Sequence, residues 1–203
     1  GGDPDRECLQ LVPDKTGAPY LQDDEGDFWR CFIFIENAVT FQTVERPEHF
    51  YYSACAFGKF QRLLADFPAA TLHEVIPHFH DTASRYRDFE RAVEQDVLGR
   101  AKEVEAEIAF VRAREADTRV LVDLLVAGRL PLRVTHNDTK LNNVMLDDVT
   151  GKPVAVIDLD TVMPGLSLYD FGGSIRFGAS TAAEDELDLS RVSCDLSLFE
   201  EYV

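Results

Sequence analysis

The hydrophobic pattern changes character twice along this 203-residue chain. Residues 1–27 are polar and rich in Gly, Pro and Asp, with Leu9–Val12 as a short strand and Asp14-Lys15-Thr16-Gly17 as a turn leading to Tyr20-Leu21. Phe28–Ile35 is dense in aromatic and β-branched residues and forms the clearest predicted strand of the first half. Glu36–Phe41 connects it to a helix starting after Pro47 and running to about Asp66, where Phe50, Ala54, Phe57, Gln61 and Leu64 recur at spacings of three and four. Thr71–Phe79, carrying Pro77, is an extended link. Asp81 or Thr82 caps a following helix through Val97. A long helix from about Lys102 to Ala127 carries Val104, Ile108, Val111, Val122 and Leu125, and Gly128 stops it.

From Leu132 the period shortens. Leu132-Arg133-Val134 is a short strand, and a polar loop follows. Val144–Leu146 and Val154–Leu159 pair as a hairpin around Asp147–Pro153. Met163-Pro164-Gly165 is a turn, the region from Tyr169 is loop and helix, and a last helix closes near Val203. There is no internal repeat and no low-complexity tract. A strand-rich edge, helices, a short polar β insertion and more helix make an α+β plan, not the alternation of a doubly wound sheet.

Composition narrows the picture. The length suits one large domain or two small ones, and 45% apolar with 28% charged residues is ordinary for a soluble globular protein. No run approaches the roughly 18 apolar residues of a membrane span, and Gly1-Gly2-Asp3-Pro4-Asp5 is not a signal peptide. A net charge of −17 argues against nucleic acid or an anionic membrane as partner, since either needs a basic face. It does not exclude ATP, whose phosphates can be offset by local Lys, Arg and metal. Cys8, Cys31, Cys55 and Cys194 are scattered, which favours buried free thiols in a reducing cytoplasm over zinc or disulfides.

The chemistry is concentrated in one loop. His136, Asp138 and Asn143 stand at H-x-D-x-x-x-x-N spacing, and fifteen residues after Asn143 an apolar strand ends on Asp158. That set suits phosphoryl transfer from a magnesium–nucleotide: Asp138 as the base, Asn143 and Asp158 as oxygen ligands of the metal. Spacing from Asp138 favours Asn143 over Asn142. Asp158 follows four apolar residues, and a buried carboxylate there needs a cation. Asp160 shares its side if the strand continues, and is a metal support, a substrate contact or a turn residue. His136 is a loop brace. Asp170 either accepts backbone N–H groups of the catalytic loop or caps a helix. His78-x-His80-Asp81 lacks a fourth ligand for zinc.

His136–Val144 together with Val156–Gly165, and Ile76–Thr82 with Arg85-Tyr86, resemble the N-acetylhexosamine 1-kinases. These belong to the aminoglycoside phosphotransferase and choline kinase superfamily, which has a protein-kinase-like fold. The resemblance covers roughly residues 28–178. It implies ATP and Mg²⁺, transfer to the anomeric hydroxyl of a free N-acetylhexosamine, Asp138 as base, and Asn143 and Asp158 as metal ligands. It sets Asn137, Thr139, Lys140 and Thr161 beside the sugar, and Glu36 and Asn37 at a hinge that meets adenine through backbone. It also implies a partial N-lobe with its hinge strand in residues 1–36, and a helical C-lobe in 37–203. The family's nucleotide-covering loop and ATP-contacting Lys precede the position of Phe28, where only 27 polar residues stand, with Lys15 in a turn. The family also continues past the position of Val203, so the chain is expected to be a piece of a longer protein. Two alternatives stand beside the sugar kinase. One is an amino-alcohol or aminoglycoside acceptor, which the −17 charge would suit. The other is a non-catalytic remnant.

Overall fold

The structure, a computed structural model, describes residues 2–203; Gly1, the first residue of the expected 1–36 segment, lies outside them. Helix α1 (Pro4–Glu7) opens where Asp3 accepts the Asp5 N–H. Strands β1 (Leu11–Val12), β2 (Leu21–Gln22), β3 (Phe28–Trp29) and β4 (Cys31–Phe32) follow. The single strand expected over Phe28–Ile35 is divided at Arg30: β3 pairs with β2, and β4 with β1. The cause is local. Asp23 accepts from the Glu25 and Asp27 N–H groups and from Trp29 Nε1, closing a tight β2–β3 turn with Gly26 at φ 93°. The next residues then take β1 as partner.

Next come β5 (Ala38–Val39), α2 (Pro47–Leu63), α3 (Thr82–Gln95), α4 (Glu105–Arg112) and α5 (Glu115–Val126). Asp81 caps α3 by accepting the Ser84 N–H. The helix expected over 102–127 is broken. The Arg114 N–H bonds the Val111 carbonyl, and its guanidinium donates to the Phe110 carbonyl while stacking on that ring at 3.4 Å. At the break the Phe110 carbonyl, which a continuing helix would pair with the Arg114 N–H, accepts from the Arg114 side chain instead. Gly128, at φ 68°, ends α5: its N–H meets the Leu125 carbonyl and the Arg129 N–H meets that of Leu124.

The second half holds β6 (Arg133–Thr135), β7 (Val144–Asp147), β8 (Pro153–Val156), β9 (Met163–Gly165), α6 (Ser167–Gly178) and α7 (Leu196–Tyr202). Met163–Gly165, expected as a turn, is a strand antiparallel to β6, with Pro164 opposite Val134. A two-stranded ladder tolerates a proline because each strand has an unpaired edge.

Two compact units divide these elements. The first holds the chain up to Leu63, Asp138–Leu159 and Phe171–Val203; the second holds Leu64–Asn137 and Asp160–Asp170. In the first, an antiparallel sheet of order β5-β7-β8 packs on α2. Val144 and Leu146 alternate inward from β7 and meet Ala56 and Phe57 of α2, with Phe41, Tyr52 and Val156 around them. Full burial of side chains like Leu146 and Phe57 stabilises by about 1.5–3 kcal/mol each. The buried face of α2 is His49, Phe50, Ser53, Ala56 and Phe57, turned by about one residue from the expected face that included Ala54, Gln61 and Leu64. Gly178 has no Cβ where one would strike Phe50, whose ring lies 4.6 Å from that of Tyr202. The hairpin turn is tied by Asp147, which accepts from the Thr150 N–H, the Thr150 hydroxyl and Arg6.

In the second unit, α3 packs on α5, and β6 pairs with β9. All four cysteines are free and exposed, which corrects the expectation of buried thiols. Among the described residues no helix is long and apolar enough to cross a membrane.

Candidate active site

The second unit carries the start of the His-Asp-Asn loop. Thr135, His136 and Asn137 are buried at 0%, 0% and 8% exposure, and burial obliges each polar group to find a partner. Asp170, itself buried, accepts the His136 N–H at 3.0 Å and the Asn137 N–H at 2.8 Å. The Asn137 amide nitrogen donates to the carbonyls of Thr135 and Thr161. Its oxygen accepts from the Thr135 hydroxyl, which is shared with the Met163 carbonyl. The Asn137 carbonyl accepts from His80 Nε2 at 2.9 Å; since a carbonyl only accepts, that nitrogen carries a proton. Thr161 Oγ1 donates to the His136 carbonyl. These bonds hold Asn137 at φ 69°, a left-handed conformation that Asn tolerates better than most residues. Gly165 completes the brace: a Cβ there would collide with Thr135 Oγ1.

The first unit carries the rest of the loop and the hairpin. The Asn143 amide nitrogen donates to the Asp138 carbonyl at 2.8 Å and to Asp138 Oδ2 at 3.1 Å. One step along β8, the Ile157 N–H bonds the Asn143 carbonyl at 2.9 Å, which brings the backbone before Asp158 alongside Asn143. Asp158 then turns to φ 58°. The ladder ends at Val156, and Asp158 is exposed, which corrects the expectation of a buried strand-end carboxylate. Asp160 sits in a 3₁₀ turn (Leu159–Thr161), so the strand continuation that would have aligned it with Asp158 is absent. Left-handed non-glycine residues are sparse and persist only where the surrounding structure holds them; Asn137 and Asp158 are two of the five among the described residues, beside Asn37, His78 and Asp96.

A chain of charges adjoins Asp138. Lys140 Nζ lies 3.7 Å from Asp138 Oδ1 and 3.1 Å from Glu184 Oε2, while Arg176 reaches Glu184 Oε1 at 2.8 Å. The Glu184 hydrogen bond, reinforced by the Asp138 charge, pushes the Lys140 ammonium above its ordinary range. Arg176 first, then Lys140, hold the Glu184 carboxyl below its own. Thr139 is buried, and its carbonyl accepts from Ser174, whose hydroxyl in turn receives the Tyr202 O–H. Glu36 and Asn37 are exposed, and both backbone carbonyls accept from the Arg6 guanidinium, at 3.4 and 2.7 Å. Asn37 also has a left-handed φ of 53°.

Sequence spacing picked out Asp138, Asn143, Asp158 and Asp170. It passed over His80 as a hydrogen-bond donor, and Thr135, Ser174 and Glu184 entirely. The first three act on backbone carbonyls, which no spacing reveals, and Glu184 reaches Lys140 from 44 positions further along the chain.

A family model described as the phosphotransferase enzyme family matches residues 17–193. In structure the chain is similar to an aminoglycoside phosphotransferase from Alicyclobacillus acidocaldarius subsp. acidocaldarius DSM 446, with a TM-score of 0.54 and 17% identity. The match covers 97% of this chain and 58% of that one, so the chain spans less than two thirds of the length of the protein it matches. At that identity the likeness speaks for the fold, which is α+β and protein-kinase-like. The family model spans most of the sequence, and the chain belongs to the phosphotransferase enzyme family.

Proposed function

We propose that this protein transfers the terminal phosphoryl group of ATP to a hydroxyl of a small molecule, with Mg²⁺ as its cation and the anomeric hydroxyl of an N-acetylhexosamine as acceptor. The observation that carries the reading is the Asn143–Asp138 hydrogen bond. It joins the loop carboxylate to an amide through its nitrogen, and so keeps the amide oxygen for a cation. Family membership supports the reaction class. The motif resemblance supports the sugar.

The residues fit Mg²⁺. Asn143 and Asp158 bring hard oxygen donors, and Mg²⁺ characteristically takes one or two protein oxygens, completing its shell with phosphate oxygens and water. Among the described residues no group of three or more His, Cys, Asp or Glu could hold a metal, so a site saturated by protein ligands is not the alternative. When bound, the cation neutralises charge on the transferring phosphates. Asp138 accepts a hydrogen bond from the acceptor hydroxyl, orients it, and takes its proton as the phosphoryl group moves. Asn143 holds Asp138 in that orientation. Of the residues the resemblance sets beside the sugar, Asn137 and Thr161 spend their hydrogen bonds within the brace, Thr139 is buried, and Lys140 keeps a partly exposed ammonium. At the hinge, adenine and the Arg6 guanidinium compete for the Glu36 carbonyl.

A second reading, an aminoglycoside or choline-type acceptor, draws on the name of the structural neighbour and on the −17 charge. The test is ADP release from ATP and Mg²⁺ with a panel of N-acetylhexosamines, hexoses, choline and aminoglycosides. Release with an N-acetylhexosamine alone supports the first reading. Release only with choline or an aminoglycoside supports the second, and silence across the panel favours a non-catalytic remnant.

A further inference from the structure

Two carboxylates of the first unit share one ammonium, and they share it unequally. Lys140 Nζ stands 3.1 Å from Glu184 Oε2, within hydrogen-bonding distance, and 3.7 Å from Asp138 Oδ1, beyond it. The Phe177 ring, with its centroid 6.0 Å from Nζ, is at the limit of a cation–π contact.

The main chain makes this sharing a matter of the side chain alone. The Lys140 N–H bonds the Asp138 carbonyl, and the Lys140 carbonyl accepts the Asn143 N–H, so the backbone of Lys140 is fixed two residues from the base. Its four-carbon stem keeps its rotational freedom. Without a competing anion the ammonium would close on Asp138 in a charge-assisted bond of about 2.7–2.9 Å. That bond would engage a carboxylate oxygen and weaken it as an acceptor of a substrate proton.

Glu184 is fixed independently of the loop. One oxygen meets Lys140 and the other meets Arg176 of α6 at 2.8 Å. Its segment is tied on both sides. Before it, Thr181 bonds the carbonyls of Ser193 and Arg191; after it, Glu186 pairs with Arg191 at 2.9 Å.

We propose that Glu184 is a positioning residue: by holding the Lys140 ammonium it keeps that cation from closing on Asp138, and so preserves Asp138 as the acceptor of the substrate proton. The role of Asp138 in this proposal rests on the phosphotransferase reading; the sharing of the ammonium does not.

The test compares the native chain with Glu184→Ala, Lys140→Met, the double variant, and Glu186→Ala. The last removes the same charge from the same segment but faces Arg191 instead of Lys140. Circular dichroism confirms that each is folded. Crystal structures of the native chain and Glu184→Ala give the Nζ–Oδ1 separation without turnover. ADP release with N-acetylglucosamine, or with whichever panel acceptor the native chain turns over, gives kcat and both KM values. In Glu184→Ala the separation is expected to contract from 3.7 Å to about 2.7–2.9 Å. Its kcat should fall about tenfold, with KM for ATP and acceptor within about twofold. In the Lys140→Met background the same substitution should change kcat by less than about twofold, because the competing cation is gone. Glu186→Ala should leave kcat within about twofold. The proposal is overturned by a separation that stays at 3.7 Å or more, by an equal kcat loss with and without Lys140, or by the same loss in Glu186→Ala. Absence of acceptor-dependent ADP release across the panel refutes the phosphotransferase reading separately. The separation then still decides whether Glu184 holds Lys140 off Asp138.

Discussion

Residues 135–137 and 138–143 are consecutive stretches of one loop, yet they use their polar groups in opposite ways. In the first, every donor of Asn137 has a partner, its carbonyl and its amide oxygen each accept a hydrogen bond, and the residue is buried. In the second, Asp138 is partly exposed, and Asn143, although as buried as Asn137, bonds through its nitrogen alone among its side-chain atoms; beyond the stretch, Asp158 is exposed after the hairpin. A satisfied, buried network makes a rigid support. Groups with capacity left over are where a ligand can be met. The contrast separates a satisfied brace from the carboxylate–amide pair that the proposed function makes the reactive part.

Asp138→Asn bears hardest on the reactive stretch. It keeps the shape and removes the base, so turnover should fall by about 10²–10⁴-fold with ATP binding nearly unchanged, measured by ADP release and nucleotide titration. Unaltered turnover would remove Asp138 from its role. Asp170→Ala bears on the brace instead. It orphans the buried N–H groups of His136 and Asn137, each costing on the order of 1–3 kcal/mol, and should lower Tm and the denaturant midpoint. A variant as stable as the native chain would mean that the loop is held elsewhere.

Gly178→Ala lies outside both stretches and calibrates them. Its Cβ collides with Phe50, an overpacking expected to cost about 1–3 kcal/mol in denaturant melts without touching the loop. The smallest effect belongs to His49, whose burial and neighbouring Arg46 guanidinium hold its imidazole below its ordinary range. A depressed folded-state pKa means the unfolded chain binds the proton more readily. The native fold therefore loses stability as pH falls below about 6.5, the unfolded value, and keeps it above. His49→Phe should flatten the Tm-against-pH curve between pH 7.5 and 5, and an unchanged slope would acquit His49.

Much of the fold was legible because its signals are local. Pro47 opens α2, Asp81 caps α3, Gly128 stops α5, and the apolar pairs Val144/Leu146 and Val154/Val156 mark the hairpin. The failures share a cause as well. The strand at Phe28–Ile35 divided because its two halves found different partners, and the 102–127 helix is broken where the Arg114 side chain, not its N–H, bonds the Phe110 carbonyl. Met163-Pro164-Gly165 looks like a turn in isolation and is a strand because β6 lies beside it. Period and propensity see neither partners nor side-chain competition.

The sequence by itself determined which residues are the candidates for chemistry, since H-x-D-x-x-x-x-N and the distant Asp158 are identities at fixed separations. Only the tertiary structure decided how they are held. It left Asp158 exposed and left-handed where the sequence implied burial, put Asp170 on two loop N–H groups where a helix cap was the alternative, and brought Glu184 to Lys140. The physical reason is that hydrogen bonds and ion pairs between distant residues, many of them through backbone atoms common to all residues, form only once the chain has packed.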